Sequence, residues 1–221
     1  MTTNYFDEAA ADWDEKPSRI RLVKAVGEAI VHQAAPTRDM TVLDYGCGTG
    51  LLGLYLLPHV RSVTGADNSP GMLQVLNRKI AEGGLNNMRA IRLDLAQDPV
   101  PDDLYHMVVT SMVMHHIANP DETLRAFHKM LLPGGILCLA DLDTEPGSFH
   151  TAEAADSVYH HGFDRGELKA RLARMGFSEA KDVTALRYSK PVEKGGEEEF
   201  SVFLITARRP ARGPADSRSG A

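Results

Sequence analysis

Apolar runs of strand length alternate with helix-like segments through the middle of the chain, and this alternation constrains the fold more than any other feature. The predicted strands of this part are Thr41–Tyr45, Val60–Ala66, Met88–Leu93, Leu104–Met112 and Ile136–Leu142. Strands that are apolar on both faces must be covered on both faces, which is typical of parallel sheets between two layers of helices. The sequence therefore predicts an α/β fold built on a parallel sheet.

Capping signals mark the helices between these strands. Ser69-Pro70 and Asn119-Pro120 each place a capping residue before a proline, which favours the first turn of a helix. We predict that these two helices end near Glu82 and Leu132, before glycine-rich breaks. Further helices are predicted over Tyr5–Gln33, Leu51–Leu57, Ser148–His160 and Asp164–Met175.

Two more strands are predicted near the end of the chain, at Glu179–Ser189 and Phe200–Arg208. The short polar loop between them suits an antiparallel pair at the edge of the sheet. With the five earlier runs, they predict a doubly wound, mostly parallel seven-stranded sheet that has helices on both faces and an antiparallel last strand.

Charge and cysteine content exclude several classes of protein. The net charge of −6 argues against a surface built for phosphate backbones, so no nucleic-acid partner is expected. The two cysteines, Cys47 and Cys138, lie in apolar stretches, which favours free thiols in a reducing cytosol. The polar start is unlike a signal peptide, and no apolar run is long enough to cross a bilayer. We expect a soluble cytoplasmic protein with no membrane partner.

A glycine-rich turn follows the first predicted strand in the stretch "VLDYGCGTG", residues Val42–Gly50. A dinucleotide-binding turn, Gly-x-Gly-x-x-Gly, would need its third glycine where this chain has Leu51. The acid Asp44 would also repel a pyrophosphate, and it suits a ligand with cationic groups. The spacing therefore favours a phosphate-free, cationic ligand over a nicotinamide dinucleotide.

The pattern Asp44-x-Gly46-x-Gly48-x-Gly50 resembles the first motif of class I S-adenosylmethionine-dependent methyltransferases, and the similarity extends over Val42–Leu142. The resemblance implies a Rossmann-like methyltransferase fold and S-adenosyl-L-methionine as the cofactor. In such a site the glycines let the backbone approach the methionine part of the cofactor, while the acid favours its cationic end.

The resemblance also implies two further acids after the next two strands. Asp67 would accept hydrogen bonds from both ribose hydroxyls, with Asn68 and Met72 beside the ribose and adenine. Asp94 would accept from the adenine amino group, and the N–H of Leu95 would meet a ring nitrogen. Taken separately, Asp67 could be a helix cap and Asp94 a solvated loop acid.

The N-terminal stretch "YFDEAAADWDE" resembles the segment that closes over the cofactor in many of these enzymes. Tyr5 and Trp13 could cover the methionine end, although core packing of lone aromatic residues is the alternative. Ser111 and Met112 would lie beside the cofactor at the end of the fourth strand. The predicted cofactor-binding residues are Tyr5, Trp13, Asp44, Gly46, Cys47, Gly48, Asp67, Asn68, Met72, Asp94, Leu95, Ser111 and Met112.

No catalytic base is assigned from the sequence, because methyl transfer mainly needs in-line alignment and exclusion of water. The polar residues expected near the cleft are His115, His116, Asp141, Asp143, His150, Tyr159, His160 and His161. Of these, His115, His116, Asp141 and His161 are the weak catalytic candidates. Adjacent strand residues point to opposite faces, so His115 and His116 are not expected to act as a pair. The histidine spacing is unlike that of known zinc motifs, and no metal is expected.

We expect one methyltransferase domain over residues 1–208, comprising a helical cap (1–35), a cofactor-binding core (36–145) and substrate-side helices with edge strands (146–208). Residues 209–221 are expected to be a flexible tail. The fourth strand is not followed by a DPPY- or NPPY-like tetrapeptide, which together with the acidic charge favours a small-molecule substrate over a nucleic acid. Protein methylation remains open, and the chain is expected to be a monomer or homodimer.

Two other functions are the alternatives, and the sequence does not separate the first of them from a methyltransferase. One is a protein that binds S-adenosylmethionine or S-adenosylhomocysteine without catalysis, as a sensor or partner subunit. The other is an NAD(P)-dependent oxidoreductase, which the glycine spacing disfavours.

Overall fold

The computed structural model describes residues 3–151, 154, 157–192 and 195–211. The described residues form a seven-stranded sheet flanked by helices. Its strands are β1 (Thr41–Tyr45), β2 (Ser62–Asp67), β3 (Met88–Arg92), β4 (Tyr105–Ser111), β5 (Leu131–Leu142), β6 (Ser178–Pro191) and β7 (Glu197–Arg208).

The helices are α1 (Thr3–Ala9), α2 (Pro17–Ala34), α3 (Leu51–Leu56), α4 (Pro70–Glu82), α5 (Pro120–Met130) and α6 (Arg165–Arg174). Short 3-10 turns occur at Trp13–Glu15, Leu57–His59 and Met114–His116. The long predicted N-terminal helix is thus divided into α1, a turn and α2. Among the described residues, no helix is both long and apolar enough to cross a membrane.

The strands are arranged in the order β3-β2-β1-β4-β5-β7-β6. The first five are parallel, while β7 runs antiparallel to both of its neighbours. The predicted fold class is therefore confirmed. The chain moves outward from β1 to β3 and then returns to place β4 on the other side of β1. A crevice for a ligand is expected at this reversal, beyond the carboxyl ends of the strands.

The sheet buries apolar side chains on both faces, as the continuous apolar strands predicted. Val42 and Met107 belong to the cluster on one face, and Leu43 and Val108 to the cluster on the other. This follows from the period of two in a strand, which sends adjacent residues to opposite sides. With both faces packed against helices, the polar ends of the strands are the places left for chemistry.

Two helix starts follow their predicted caps. The Ser69 hydroxyl accepts from the N–H of Met72 at 3.1 Å, and the Asp164 carboxylate accepts from the N–H of Glu167 at 2.8 Å. Asn119 precedes α5 but makes no side-chain capping bond.

The end of α5 differs from the prediction. The helix stops at Met130, and β5 begins at once with Leu131, which pairs with Tyr105. The register then shifts before Met107 pairs with Ile136. This irregularity accommodates the Pro133–Gly135 segment, for which the sequence predicts a break between helix and strand.

The predicted helix Ser148–His160 is wrong over residues 148–151 and 157–160, while residues 152, 153, 155 and 156 lie outside the described part of the chain. The Glu145 carboxylate accepts from the N–H groups of Ser148 and Phe149, which turns the chain locally. Further along, the N–H of Tyr159 donates to the carbonyl of His115 at 2.9 Å. Residues 148 and 149 are thus held by a local turn, and Tyr159 by a long-range bond, whereas Ala154 is helical.

Arg209 belongs to the expected tail, yet its backbone is hydrogen bonded to the first part of β5. Its N–H donates to the carbonyl of Gly135, and its own carbonyl accepts from the N–H of Gly134. The rest of the expected tail, from residue 212 to 221, lies outside the described residues. The subdivision of the chain into cap, core and substrate side stays a prediction.

Candidate functional site

A cavity lies at the carboxyl ends of β1, β2 and β4, where the strand order reverses. The space between its walls is about 1070 Å³, a figure that includes a part open to solvent. The predicted residues that line it are Trp13, Asp44, Gly46, Cys47, Gly48, Asp67, Asn68, Met72, Ser111, Met112 and His116. The predicted residues outside this lining are Tyr5, Asp94, Leu95, His115, Asp141 and His161.

The glycine turn after β1 adopts a conformation that requires glycine. Gly46, Gly48 and Gly50 have φ values of +69°, +53° and +83°. A Cβ on Gly46 would lie 2.3 Å from the Val113 side chain, and one on Gly50 would lie 2.4 Å from Leu76. A Cβ on Gly48 would meet no protein atom closer than 3.7 Å, because this glycine faces the cavity. The turn therefore offers bare backbone to a ligand at Gly48.

Asp67 connects the turn to the start of α4. Its Oδ2 accepts from the N–H of Gly48 at 2.7 Å, and its Oδ1 accepts from the N–H of Ser69 at 2.9 Å. Burial raises the pKa of Asp67 while these two backbone bonds oppose the shift. The carboxylate can thus hold the turn and still present its remaining lone pairs to hydroxyl groups in the cavity.

Asp44 lies at the base of the cavity and is almost fully buried. Desolvation raises its pKa to about 7, although the N–H of Gly53 donates to its Oδ2 at 3.0 Å. The neighbouring Asp67 charge raises the pKa further. An acid with this pKa gains most from a ligand that carries positive charge, since a nearby cation stabilises its ionised form.

Asp94 and Leu95 already have hydrogen-bond partners within the protein. The Asp94 carboxylate accepts from the side chains of Asn68 and Gln97 and from the N–H of Ala96. The N–H of Leu95 donates to the hydroxyl of Tyr45 at 3.2 Å. These bonds satisfy the groups that the sequence reserved for an adenine ring, so the adenine contact stays a prediction. Leu93, the residue before them, lines the cavity instead.

The N-terminal segment packs over the cavity and is tied to the glycine turn. The Thr49 hydroxyl donates to the Asp14 carboxylate at 2.6 Å, and Lys79 forms an ion pair with the same carboxylate. At its other end, Asp7 accepts from the hydroxyl of Ser69 and from the N–H of Gly71. The segment therefore lines one side of the cavity, and its closure over a cofactor stays a prediction.

Sequence reasoning missed three residues of this wall. Phe6 lines the cavity in place of its neighbour Tyr5, and the two rings pack edge to face at 5.3 Å. Arg19 also lines the cavity and stacks over the Trp13 ring at 3.3 Å. Thr49 stands within the motif itself, but its bond to Asp14 depends on a contact 35 residues away. Nothing in the sequence of α2 indicates that Arg19 would line the cavity.

His115 and His116 are close neighbours, which corrects the expectation that they point apart. Strand β4 ends at Ser111, and Met112 then takes a positive φ of +59°. The histidines lie in the following 3-10 turn, where their ring centroids are 4.1 Å apart. The alternation rule applies only within a strand, and the strand had already ended.

A buried carboxylate orients the first of these histidines. Asp141 is fully buried, and its Oδ1 lies 2.6 Å from Nδ1 of His115. The N–H of Leu142 donates to the same oxygen at 2.7 Å. His115 Nε2 lies 3.3 Å from Nε2 of His150. Asp141 is thus a positioning residue for His115 rather than a base in the cavity.

His116 and His150 are held as neutral imidazoles. Burial, helped by the nearby His115, lowers the pKa of His116 to about 4 and that of His150 to about 3. His116 Nδ1 lies 2.7 Å from the carbonyl oxygen of Ser157, which can only accept, so this nitrogen carries the proton. Its Nε2 is therefore left with a lone pair.

The remaining polar candidates lie away from the cavity. His161 is 62% exposed and lies 3.5 Å from the Glu145 carboxylate. Asp143 forms a two-pronged ion pair with Arg165 and accepts from the Ser201 hydroxyl.

Both cysteines are buried free thiols, and burial raises the pKa of Cys47 well above its usual range.

Known proteins that are similar to this chain include several methyltransferases. Residues 42–135 match a family described as a methyltransferase domain. An uncharacterized methyltransferase of Schizosaccharomyces pombe is 35% identical over 135 residues, which are 56% of this chain and 48% of that protein. A ubiquinone biosynthesis O-methyltransferase of Caulobacter vibrioides is 37% identical over 112 residues, or 49% of this chain and 43% of the relative. The chain thus spans about half the length of these curated relatives.

Solved structures agree on the fold. A crystal structure of a SAM-dependent methyltransferase from Aquifex aeolicus superposes with a TM-score of 0.66 at 20% identity. The superposition covers 92% of this chain and 98% of that one. At this identity, the likeness concerns the fold.

Proposed function

We propose that this chain is a class I S-adenosylmethionine-dependent methyltransferase, which binds S-adenosyl-L-methionine in the cavity at Gly48 and methylates a small molecule. The observation that carries the proposal is the combination of bare backbone at Gly48 with the two buried carboxylates Asp44 and Asp67. When bound, the cofactor supplies an electrophilic methyl group on a sulfonium leaving group.

The residues of the cavity fit such a cofactor. Asp44 suits the cationic end, and Asp67 has lone pairs available for a pair of ribose hydroxyls. Arg19 provides a guanidinium at the wall, which suits the carboxylate of an amino acid. The site thus offers opposite charges for an α-amino acid and acceptors for a sugar.

Exclusion of water and alignment are the contributions we assign to the protein. Phe6 and Trp13 close the cavity on the N-terminal side, their rings 5.9 Å apart, and Met112 and Val113 line the wall after β4. A closed apolar wall of this kind keeps water from competing with the acceptor. His116 also lines the cavity, and the lone pair on its Nε2 can accept a hydrogen bond from an acceptor molecule.

The acceptor is proposed only as a class. The relatives of this chain include ubiquinone biosynthesis O-methyltransferases and demethylmenaquinone methyltransferases. The alignments with the two cited relatives span 58% and 43% of their length. Hydroxylated aromatic compounds are therefore the first acceptors to try.

Binding and turnover must be measured separately to test this proposal. Calorimetry with S-adenosylmethionine, S-adenosylhomocysteine and NADH should give binding of the first two only. Transfer of a radiolabelled methyl group to a panel of phenolic compounds should then give product. Tight binding of the cofactor without product from any acceptor would support a non-catalytic binding protein instead. Binding of NADH alone would contradict the proposal.

A further inference from the structure

We propose that His115, His116 and His150 form a binding site for a divalent transition metal of the zinc class. Each offers one ring nitrogen, and these nitrogens all lie within 4.8 Å of one another. The three residues come from the turn after β4 and from the segment after β5, so no sequence motif unites them. The sequence predicted no metal, because neither adjacent pair of histidines has the spacing of a known zinc motif.

The distance between two of the nitrogens fits a shared ion. Two nitrogens bound to one tetrahedral zinc ion at about 2.0–2.1 Å lie roughly 3.3–3.4 Å apart. His115 Nε2 and His150 Nε2 are 3.3 Å apart. The ring nitrogen of His116 lies within 4.8 Å of both, so movement of this ring toward them would complete three ligands.

The outer partners leave the required lone pairs free. Asp141 faces Nδ1 of His115, and the Ser157 carbonyl faces Nδ1 of His116. Each partner fixes the proton on Nδ1, which leaves Nε2 as the ligand atom in both rings. A carboxylate or carbonyl behind a ligating histidine is the usual arrangement in metal sites, because it fixes the ring and raises its basicity.

Charge and ligand type select the metal. Three neutral imidazoles suit zinc, copper, iron or nickel, whereas magnesium and calcium prefer oxygen ligands. The buried carboxylate of Asp141 lies directly behind His115 and offsets part of the charge of a divalent ion. Zinc, which favours nitrogen ligands in tetrahedral sites, is the metal that we expect.

The site would give the cavity a Lewis acid. His116 belongs both to the cluster and to the cavity wall, so a fourth ligand can approach from the cavity. A hydroxyl group of an acceptor molecule bound there would have its pKa lowered. This use of the site rests on the proposed function, whereas the metal site itself does not.

Metal binding is tested without cofactor or acceptor. The purified full chain is stripped with a chelator, and then titrated with Co²⁺ while its visible absorption is followed. We expect one Co²⁺ per chain, an absorption of tetrahedral intensity, and loss of the signal when Zn²⁺ is added. Zn²⁺ should also raise the melting temperature of the wild-type protein.

Two variants and a control sharpen this test. His150→Ala should abolish the Co²⁺ absorption and the stabilisation by Zn²⁺, since two ligands remain. Asp141→Asn should weaken the affinity by about 10- to 100-fold through the ring of His115. His32→Ala, at an exposed histidine of α2, should change neither quantity.

Several results would overturn the site. They are an unchanged Co²⁺ spectrum in His150→Ala with native circular dichroism, binding of several weak ions per chain, or the absence of any binding. None of them bears on cofactor binding by Gly48 and Asp67, which calorimetry measures independently.

Discussion

The carboxylate of Asp67 and the backbone N–H of Gly48 are joined by a hydrogen bond of 2.7 Å. This bond links the end of β2 to the glycine turn after β1, so the acid and the bare backbone are positioned by one another. The same carboxylate also accepts from Ser69 at the start of α4. Asp67 is thus both a support of the turn and the proposed acceptor for ribose hydroxyls.

Replacing Asp67 by alanine should weaken cofactor binding by at least tenfold. Hydrogen bonds to a charged group contribute about 1.5–3 kcal/mol each, and 1.4 kcal/mol corresponds to a tenfold change. Calorimetry with S-adenosylhomocysteine measures the loss. Asp39→Ala, which removes an exposed carboxylate beside Arg61, should leave the affinity unchanged.

A deoxyribose analogue of the cofactor separates the two roles of Asp67. If the carboxylate accepts from the ribose, Asp67→Ala should reduce the affinity for the deoxy analogue much less than the affinity for the parent compound. Equal losses for both compounds would mean that Asp67 acts only through the turn.

Gly48→Ala should impair cofactor binding as well as stability, whereas Gly134→Ala should reduce stability alone. Both glycines have positive φ values, +53° and +82°, and the N–H of each is hydrogen bonded. A Cβ meets no protein atom within 3.4 Å at either position. Both variants should therefore lose about 1–2 kcal/mol of unfolding free energy from backbone strain.

Only Gly48 faces the cavity, so only there would the added methyl group occupy the space of the ligand. We expect at least a tenfold loss of affinity for Gly48→Ala and no change for Gly134→Ala. Denaturant unfolding and calorimetry measure the two effects. Equal affinities in the two variants would mean that the cofactor does not bind at the glycine turn.

The affinity for S-adenosylmethionine should rise with pH between about 5.5 and 7, because of Asp44. Its pKa is about 7 in the cofactor-free protein, so the carboxyl group is largely protonated at the lower end of this range. A cationic ligand stabilises the ionised form, and binding therefore releases a proton. The expected change approaches tenfold per pH unit well below the pKa and vanishes above it.

Asp44→Asn should remove this pH dependence and lower the affinity above pH 7. The unfolded carboxyl group ionises near 3.8, so between that value and 7 its ionisation destabilises the folded protein as the pH rises. The variant should therefore have an equal or higher melting temperature at pH 7.5 without cofactor. An unaltered pH profile in Asp44→Asn would assign the dependence to another group.

Local motifs explain why the turn could be predicted from the sequence and the histidine cluster could not. The positions of Asp44, Gly46 and Gly48 depend on β1 and on the turn that follows it. These residues are contiguous in the chain, so a sequence motif can describe them. The seven-stranded sheet likewise follows from apolar periodicity and capping signals. Fold prediction failed where long-range bonds replaced local ones, as at residues 157–160, which are tied to the carbonyl of His115.

The cluster of His115 and His150 depends on contacts that span the end of the sheet. The two residues are 35 positions apart, and a buried carboxylate fixes the ring of His115. Neither the distance between the rings nor the turn that brings His115 beside His116 has a sequence pattern. Arg19 likewise has no sequence pattern that places it in the cavity wall, where it stacks over the Trp13 ring.

Asp14→Ala should speed release of the cofactor by loosening the N-terminal segment. Asp14 holds this segment to the glycine turn through the hydroxyl of Thr49 and the ammonium of Lys79. Without these bonds, Trp13 should cover the cavity for a smaller fraction of the time. Stopped-flow measurement of the Trp13 fluorescence, the signal of the chain's one tryptophan, reports the dissociation rate directly.

We expect the dissociation rate of Asp14→Ala to rise by at least about tenfold, because one hydrogen bond to a charged group contributes about 1.5–3 kcal/mol and 1.4 kcal/mol corresponds to a tenfold change. The association rate should change less, because a loosened segment does not obstruct entry. Glu28→Ala serves as the matched control, since it removes an exposed ion pair with Lys24 on α2, away from the turn. If both variants release the cofactor at the wild-type rate, the N-terminal segment packs on the fold without closing the site. Faster release in Asp14→Ala alone, with the melting temperature of the cofactor-free protein little changed, would identify Asp14 as the residue that holds the cavity shut.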